Sequence, residues 1–186
     1  MALIKTSALG LKSDATNLVK LADLSITSSS ASLEFSVDYA DYTAFKVLVP
    51  QNTYVGSSSH NTIIRVKRDG QSSFDSGSSD YGNEGMHIDT ADNHRNDNNN
   101  VSSIAMRTSA GSNSGNIPYE FWIFNANNTT ANFCVWGNYG EYSSGVTTLF
   151  IFAGQRNNTA KITDIQISNT AHNISSLTGT LYGVKN

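Results

Sequence analysis

The feature that most limits what this chain can become is its punctuation. From about residue 31 onward, short apolar runs alternate with clusters of Ser, Asn, Gly and Asp, at intervals too close for helices. The runs are SLEFSV, AFKVLVP, TIIRVKR, GMHIDT, SSIAMRT, YEFWIFNA, NFCVWG, TTLFIFAG, KITDIQIS and GTLYGVK, ten candidate strands in about 155 residues. No amphipathic run at helical spacing follows any of them, so parallel crossover units find no support. Regular strand and turn alternation instead predicts an all-β fold: one antiparallel β-sandwich or jelly roll over residues 26 to 186.

Two runs are expected in the middle of a sheet. In YEFWIFNA, Tyr119, Phe121 and Ile123 face one way while Glu120, Trp122 and Phe124 face the other, so both faces carry bulk. TTLFIFAG places Leu149, Phe150, Ile151 and Phe152 in succession. Residues 69 to 100 hold GQSSFDSGSSDYGNEG and TADNHRNDNNN around one brief strand-like piece, which predicts large surface loops.

Composition narrows the partners. Ser, Asn and Thr number 26, 21 and 17, together 64 of 186 residues, whereas charged residues are only 15%, against roughly 25% in an average soluble domain. Hydroxyls and amides must therefore wet the surface. With a formal charge of -3 there is no broad cationic field for phosphate backbones or anionic lipid, so neither nucleic acid nor membrane insertion is expected. Arg65, Lys67 and Arg68 form the one local basic cluster and read as a solvated strand face. Lys5, Lys12, Asp14 and Lys20 interrupt the first residues, leaving no apolar stretch for a signal peptide. The single cysteine, Cys134 in FCVW, reads as a small buried hydrophobe.

Residues 1 to 25 carry Leu3, Ile4, Leu9, Leu11, Leu18, Val19, Leu21 and Leu24 without a settled period. A sandwich of this size closes its own core, so these aliphatics are expected to form an arm that docks on another chain. The alternative is an ordinary first strand with one helical turn.

Chemistry-bearing constellations are few. Glu120 with Glu141 is the one carboxylate pair to weigh for glycoside cleavage, which needs separations of roughly 5 Å or 6.5 to 9.5 Å. A strand edge and a turn are the plainer places for them, and no enzyme activity or cofactor is expected. His87, Asp89, Asp92, His94 and Asp97 gather donors for a metal ion, yet their spacing fits no EF-hand loop. The plainer reading is a solvated loop whose Asp and Asn side chains cap its own turns. Trp136, Tyr139 and Tyr142 surround a glycine-rich turn, and flat rings beside Asn amides suit a saccharide, so they are the candidate sugar-binding residues. The competing reading puts Trp136 in the core.

SLEFSVDYADYTAFKVLV, a strand, a short Asp/Tyr turn and a second strand, resembles the opening of small β-sandwich proteins of tailed-bacteriophage virions. KITDIQISNT and the closing GTLYGVK are similar to the way those proteins end. The likeness implies a structural subunit on the virion surface, a head-decoration or tail-fibre component, assembled in the host cytoplasm. It implies other virion proteins, capsid or tail, as partners, and a homo-oligomer, a trimer by the habit of such assemblies. It transfers no catalytic residue. The alternative role is a tail-fibre module that binds a host-surface glycan, and a glycan-cleaving enzyme is a third.

Overall fold

A computed structural model of the chain describes residues 18 to 56, 61 to 88, 93 to 106, 117 to 143 and 146 to 185. These form an antiparallel β-sandwich without helices. The strands are β1 (Leu18–Ile26), β2 (Ser32–Ser36), β3 (Tyr42–Tyr54), β4 (Thr62–Arg68), β5 (Tyr81–Ile88), β6 (Asn93–Val101), β7 (Ile104–Ala105), β8 (Tyr119–Phe124), β9 (Cys134–Ser143), β10 (Val146–Arg156), β11 (Ile162–Asn169) and β12 (Ile174–Lys185). The larger sheet has eight strands in the order β1-β12-β3-β8-β9-β10-β5-β6, and the smaller has four in the order β2-β11-β4-β7.

Period-two alternation turns one face of each sheet inward. In the small sheet Leu33, Ile167, Ile64 and Ile104 lie directly opposite one another across four strands, and Phe35, Ile165 and Val66 form a second buried row. The large sheet answers with the row Leu181, Val47, Phe121, Gly137 and Phe152. Gly137 is required there. A Cβ on it would meet the Glu120 carbonyl and lie 2.5 Å from the Phe121 Cβ. Its bare backbone leaves room for the rings of Phe121 and Phe152, 6.3 Å apart, to meet across β9.

The two strands expected at mid-sheet are there: β8 runs between β3 and β9, and β10 between β9 and β5. Only one face of β8 is covered, however. Tyr119, Phe121 and Ile123 are buried, while Trp122 and Phe124 look outward.

Three expectations need correction. Leu18, Val19, Leu21 and Leu24, assigned from sequence to a docking arm, belong to β1, which pairs with β12 along its length. Backbone hydrogen bonding to β12 and burial of Leu24 and Ile26 tie this segment into the chain's own sandwich, with Leu21 packed against the core and Leu18 and Val19 left exposed on the edge strand. The boundary at residue 25 thus falls inside a strand, and Leu3, Ile4, Leu9 and Leu11 lie outside the described residues. The supposed loops from 69 to 100 contain the hairpin β5–β6, whose second strand is NHRNDNNNV. Ladder hydrogen bonds to β5 override the poor strand propensity of Asn and Asp. The remaining segment, 69 to 80, is tied down. Asp75 N–H donates to the Val66 carbonyl, and the Asp75 carboxylate accepts from Arg68 and Arg156.

The basic cluster on β4 is paired rather than simply solvated. Lys67 Nζ lies 2.9 Å from Asp164, Arg68 reaches Asp75, and Arg65 Nε donates to the Ser102 carbonyl.

Candidate functional site

The outer face of the eight-stranded sheet carries what the interior does not need. On it, Lys46 of β3, Trp122 of β8, Trp136 of β9, Ala153 of β10 and Glu84 of β5 stand directly opposite one another in a single row. A neighbouring row runs Leu48, Glu120, Asn138, Ile151 and Met86. On the other side come Phe124, Cys134 and Gln155. Trp136 is 49% exposed, with Met86, Leu149 and Phe124 also open to solvent. That collection of large apolar groups on one face, interleaved with polar side chains, makes this face the candidate contact surface.

Two of the aromatic rings are nearly parallel. The rings of Trp122 and Phe124 lie 6.3 Å apart at 16° to each other, because residues two apart on a strand share a face. Lys46 Nζ sits 5.5 Å from the centre of the Trp122 ring and 2.7 Å from Glu120 Oε2. Asn138 Nδ2 donates to Glu120 Oε1 at 3.3 Å. The Lys46 hydrogen bond, assisted by Asn138, holds the Glu120 carboxyl below the usual carboxylate range.

Beside Trp136 the sheet surface sinks into an open groove of about 470 Å3, lined by Phe124, Cys134, Trp136, Ala153, Gln155 and Glu84 among others. The groove exists because small residues face the large ones. Ala153 is opposite Trp136, and Gly82 is opposite Gln155. A second recess, lined by Glu84, Met86, Ile151 and Ala153, opens on the other flank of Trp136, so the indole forms a ridge between two depressions.

Of the candidate sugar-binding residues, Trp136 is on this surface and out of the core. Tyr139 is not. It is 0% exposed, stacked on Tyr119 at 6.3 Å and edge-on to Phe150 at 5.7 Å. Residues three apart on a strand point to opposite faces, so Trp136 and Tyr139 cannot share a ligand. Tyr142 is in β9, and its side chain lies outside the described residues. Sequence reasoning missed Trp122, Phe124 and Asn138. The available signal was the alternation of YEFWIFNA, read there as evidence of double-sided burial.

The carboxylate pair is not brought together as a catalytic dyad. Glu120 is held ionised by Lys46, the opposite of what a general acid needs, and the Glu141 side chain lies outside the described residues. Among the metal candidates, His87 and His94 are register partners across the β5–β6 hairpin, and Asp97 is opposite Glu84. Asp89 and Asp92 fall outside the described residues, among which no group of three or more metal-ligating side chains occurs. Cys134, expected in the core, is half-buried on the outer face, where burial pushes its thiol pKa up. A raised thiol is a poor nucleophile.

Comparison with protein-family models, with curated proteins and with solved structures finds no match to this chain.

Proposed function

We propose that this chain is a non-catalytic structural subunit of a bacteriophage virion, on the head surface or the tail, which turns the outer face of its larger sheet towards the surroundings. The observation that carries this reading is the contrast between the two faces of that sheet. The inner face is fully used by the chain's own core, while the outer face displays Trp122, Trp136, Phe124 and Met86. A chain that buried them only against itself would have placed them inward, since the interior is where large apolar groups gain most. The virion assignment is supported by the resemblance at both ends of the domain, and a surface wetted by Ser, Asn and Thr suits an exposed building block.

Attachment is assigned to residues 1 to 17, with Leu3, Ile4, Leu9 and Leu11 seated on a neighbouring virion protein. They lead into β1 at the edge of the larger sheet, away from the Trp136 groove. Deleting residues 1 to 17 should leave a cooperatively folding sandwich that no longer enters particles, scored by mass spectrometry of purified virions. Normal incorporation of the truncated chain refutes the attachment, and absence of the full chain from particles refutes the virion assignment.

A further inference from the structure

We propose that residues 1 to 17 fold back over the outer face of their own larger sheet as a strap, seating Leu9 and Leu11 on either side of Trp136, and that joining a neighbour exchanges this contact. This rests on the reading of residues 1 to 17 as the attachment segment, and it says where their aliphatics are held before attachment.

Three observations carry it. The first is where the segment is rooted. It leads into Leu18, whose register partner is Val184, and from there Ala44, Phe124 and Cys134 follow directly opposite one another. Phe124 looks outward, so the whole row lies on the outer face. It forms an apolar track from the sheet edge to the flank of Trp136, with Leu18 and Phe124 both exposed. The second is length. Trp136 is on β9, the fifth strand from the β1 edge, so four strand spacings or about 19 Å separate the two. Leu11 lies seven residues ahead of Leu18, an interval that reaches up to about 23 Å when extended. Ser13, Asp14, Thr16 and Asn17 fall within it, and those are the residue types that reverse a chain.

The third observation is shape. The Trp136 indole stands between two recesses, with Phe124 and Cys134 on one flank and Ile151 on the other. Leu9 and Leu11 are two residues apart, so in an extended chain they share a face about 7 Å from each other. One leucine sits in each recess, and together they straddle the indole. Apolar surface removed from water on both sides drives the contact. Supplying the leucines from the same chain makes the encounter intramolecular, so in a free subunit its own strap outcompetes a neighbour's. An apolar face left open on an unassembled chain is an aggregation liability, and the strap withholds it until a neighbour takes the segment.

The test uses the free full-length chain, and its reporter is built in. The sequence holds two tryptophans, Trp122 and Trp136, and both are on this face, opposite each other across β8 and β9. Acrylamide quenching and the emission maximum are compared with those of the chain lacking residues 1 to 17 and of full-length Leu9→Ser/Leu11→Ser. Both variants should be quenched more steeply than the full chain and should emit at longer wavelength, with all three sedimenting as monomers. Val55→Ser changes an exposed aliphatic beyond the other end of β3 and should leave both readings where they were. If the truncated chain does not fold, the full-length double variant decides the matter. Equal quenching of the full chain and the double variant overturns the strap. So does a full chain that sediments as an oligomer which the double variant dissociates, since the leucines would then lie on another copy. Entry into particles reports on attachment alone. Failure of the strap therefore leaves the virion role standing, and failure of incorporation leaves the strap standing.

Discussion

Arg156 Nε donates to Asp75 Oδ2 at 2.6 Å, and both side chains are almost completely removed from water, at 3% and 5% exposure. This pair joins the end of β10 to the segment between β4 and β5, 81 residues apart in the chain. Arg68 completes the arrangement by reaching Asp75 Oδ1 at 3.1 Å.

Removing the shared carboxylate should therefore be costly. Asp75→Ala leaves the Arg156 guanidinium buried without a counter-charge, a defect of about 3 to 5 kcal/mol. Arg156→Met should cost less, because Asp75 keeps Arg68. Urea unfolding midpoints of the two variants test the order, and an Asp75→Ala loss below about 1 kcal/mol would contradict it.

Two buried tyrosines should respond oppositely to loss of their hydroxyls. Tyr81 Oη accepts the Val66 N–H at 2.9 Å and donates to the Asp75 carbonyl at 3.2 Å. Tyr81→Phe leaves both backbone groups unpaired and should lower stability by about 1 to 3 kcal/mol. Tyr119 Oη is buried with no hydrogen-bond partner among the described residues. Tyr119→Phe removes that desolvated hydroxyl while keeping the ring stacked on Tyr139, so stability should hold or rise. Thermal melts of the two variants side by side decide the matter.

Alkali should unfold the protein through the same two residues. Burial is the main cause that pushes the Tyr81 hydroxyl well above its ordinary pKa, with Asp75 and Asp80 adding to it, and burial does the same to Tyr119. An unfolded tyrosine ionises near pH 10, so above that value the unfolded state sheds protons that the folded state retains. The stabilisation is fully present below about pH 10 and is lost as pH rises towards the folded-state values. Urea midpoints measured between about pH 8 and 11 should fall steadily at the upper end, less steeply in Tyr119→Phe. A flat profile would show that these hydroxyls are not held neutral.

Gly137 should not tolerate a methyl group. Its Cβ would press on the Glu120 carbonyl and the Phe121 backbone, neither of which can move without breaking the β8–β9 ladder. Gly137→Ala should cost about 1 to 3 kcal/mol through this overpacking, although alanine is otherwise the milder residue in a strand. Gly140, where an added Cβ has open space, provides the control: Gly140→Ala should leave the melting temperature nearly unchanged.

How much of this could be read from the order of residues varies with the element. Strands such as KITDIQIS declared themselves because alternation is enough to specify a half-buried strand, and β11 indeed buries Ile165 and Ile167, while a register shift between Ile162 and Asp164 brings Ile162 inward as well. NHRNDNNNV did not, since its side chains oppose strand formation and its place in the sheet comes from backbone pairing with β5. LVKLADLSI showed enough apolar residues to be noticed, but not whether its partner was this chain or another. Pairing with β12, more than 150 residues away, supplied the answer. At the site, the sequence could already separate Trp136 from Tyr139 by parity, since an odd spacing in a strand means opposite faces. It could not say which of the two faced water, because the neighbouring strand carries Tyr119, Phe121 and Ile123 on one side and Trp122 and Phe124 on the other.

The sequence by itself determined that this chain is an antiparallel all-β protein and which residues share a face, because side-chain alternation in a strand is a local geometric fact. Which face lies inward, and hence that Trp136 stands in solvent with half-buried Trp122 on the same outer face while Tyr139 is sealed in the core, was decided only by the tertiary structure. The small sheet can cover just one side of the large one, and the rows that fit against Ile64, Ile104 and Ile167 are the ones that were buried.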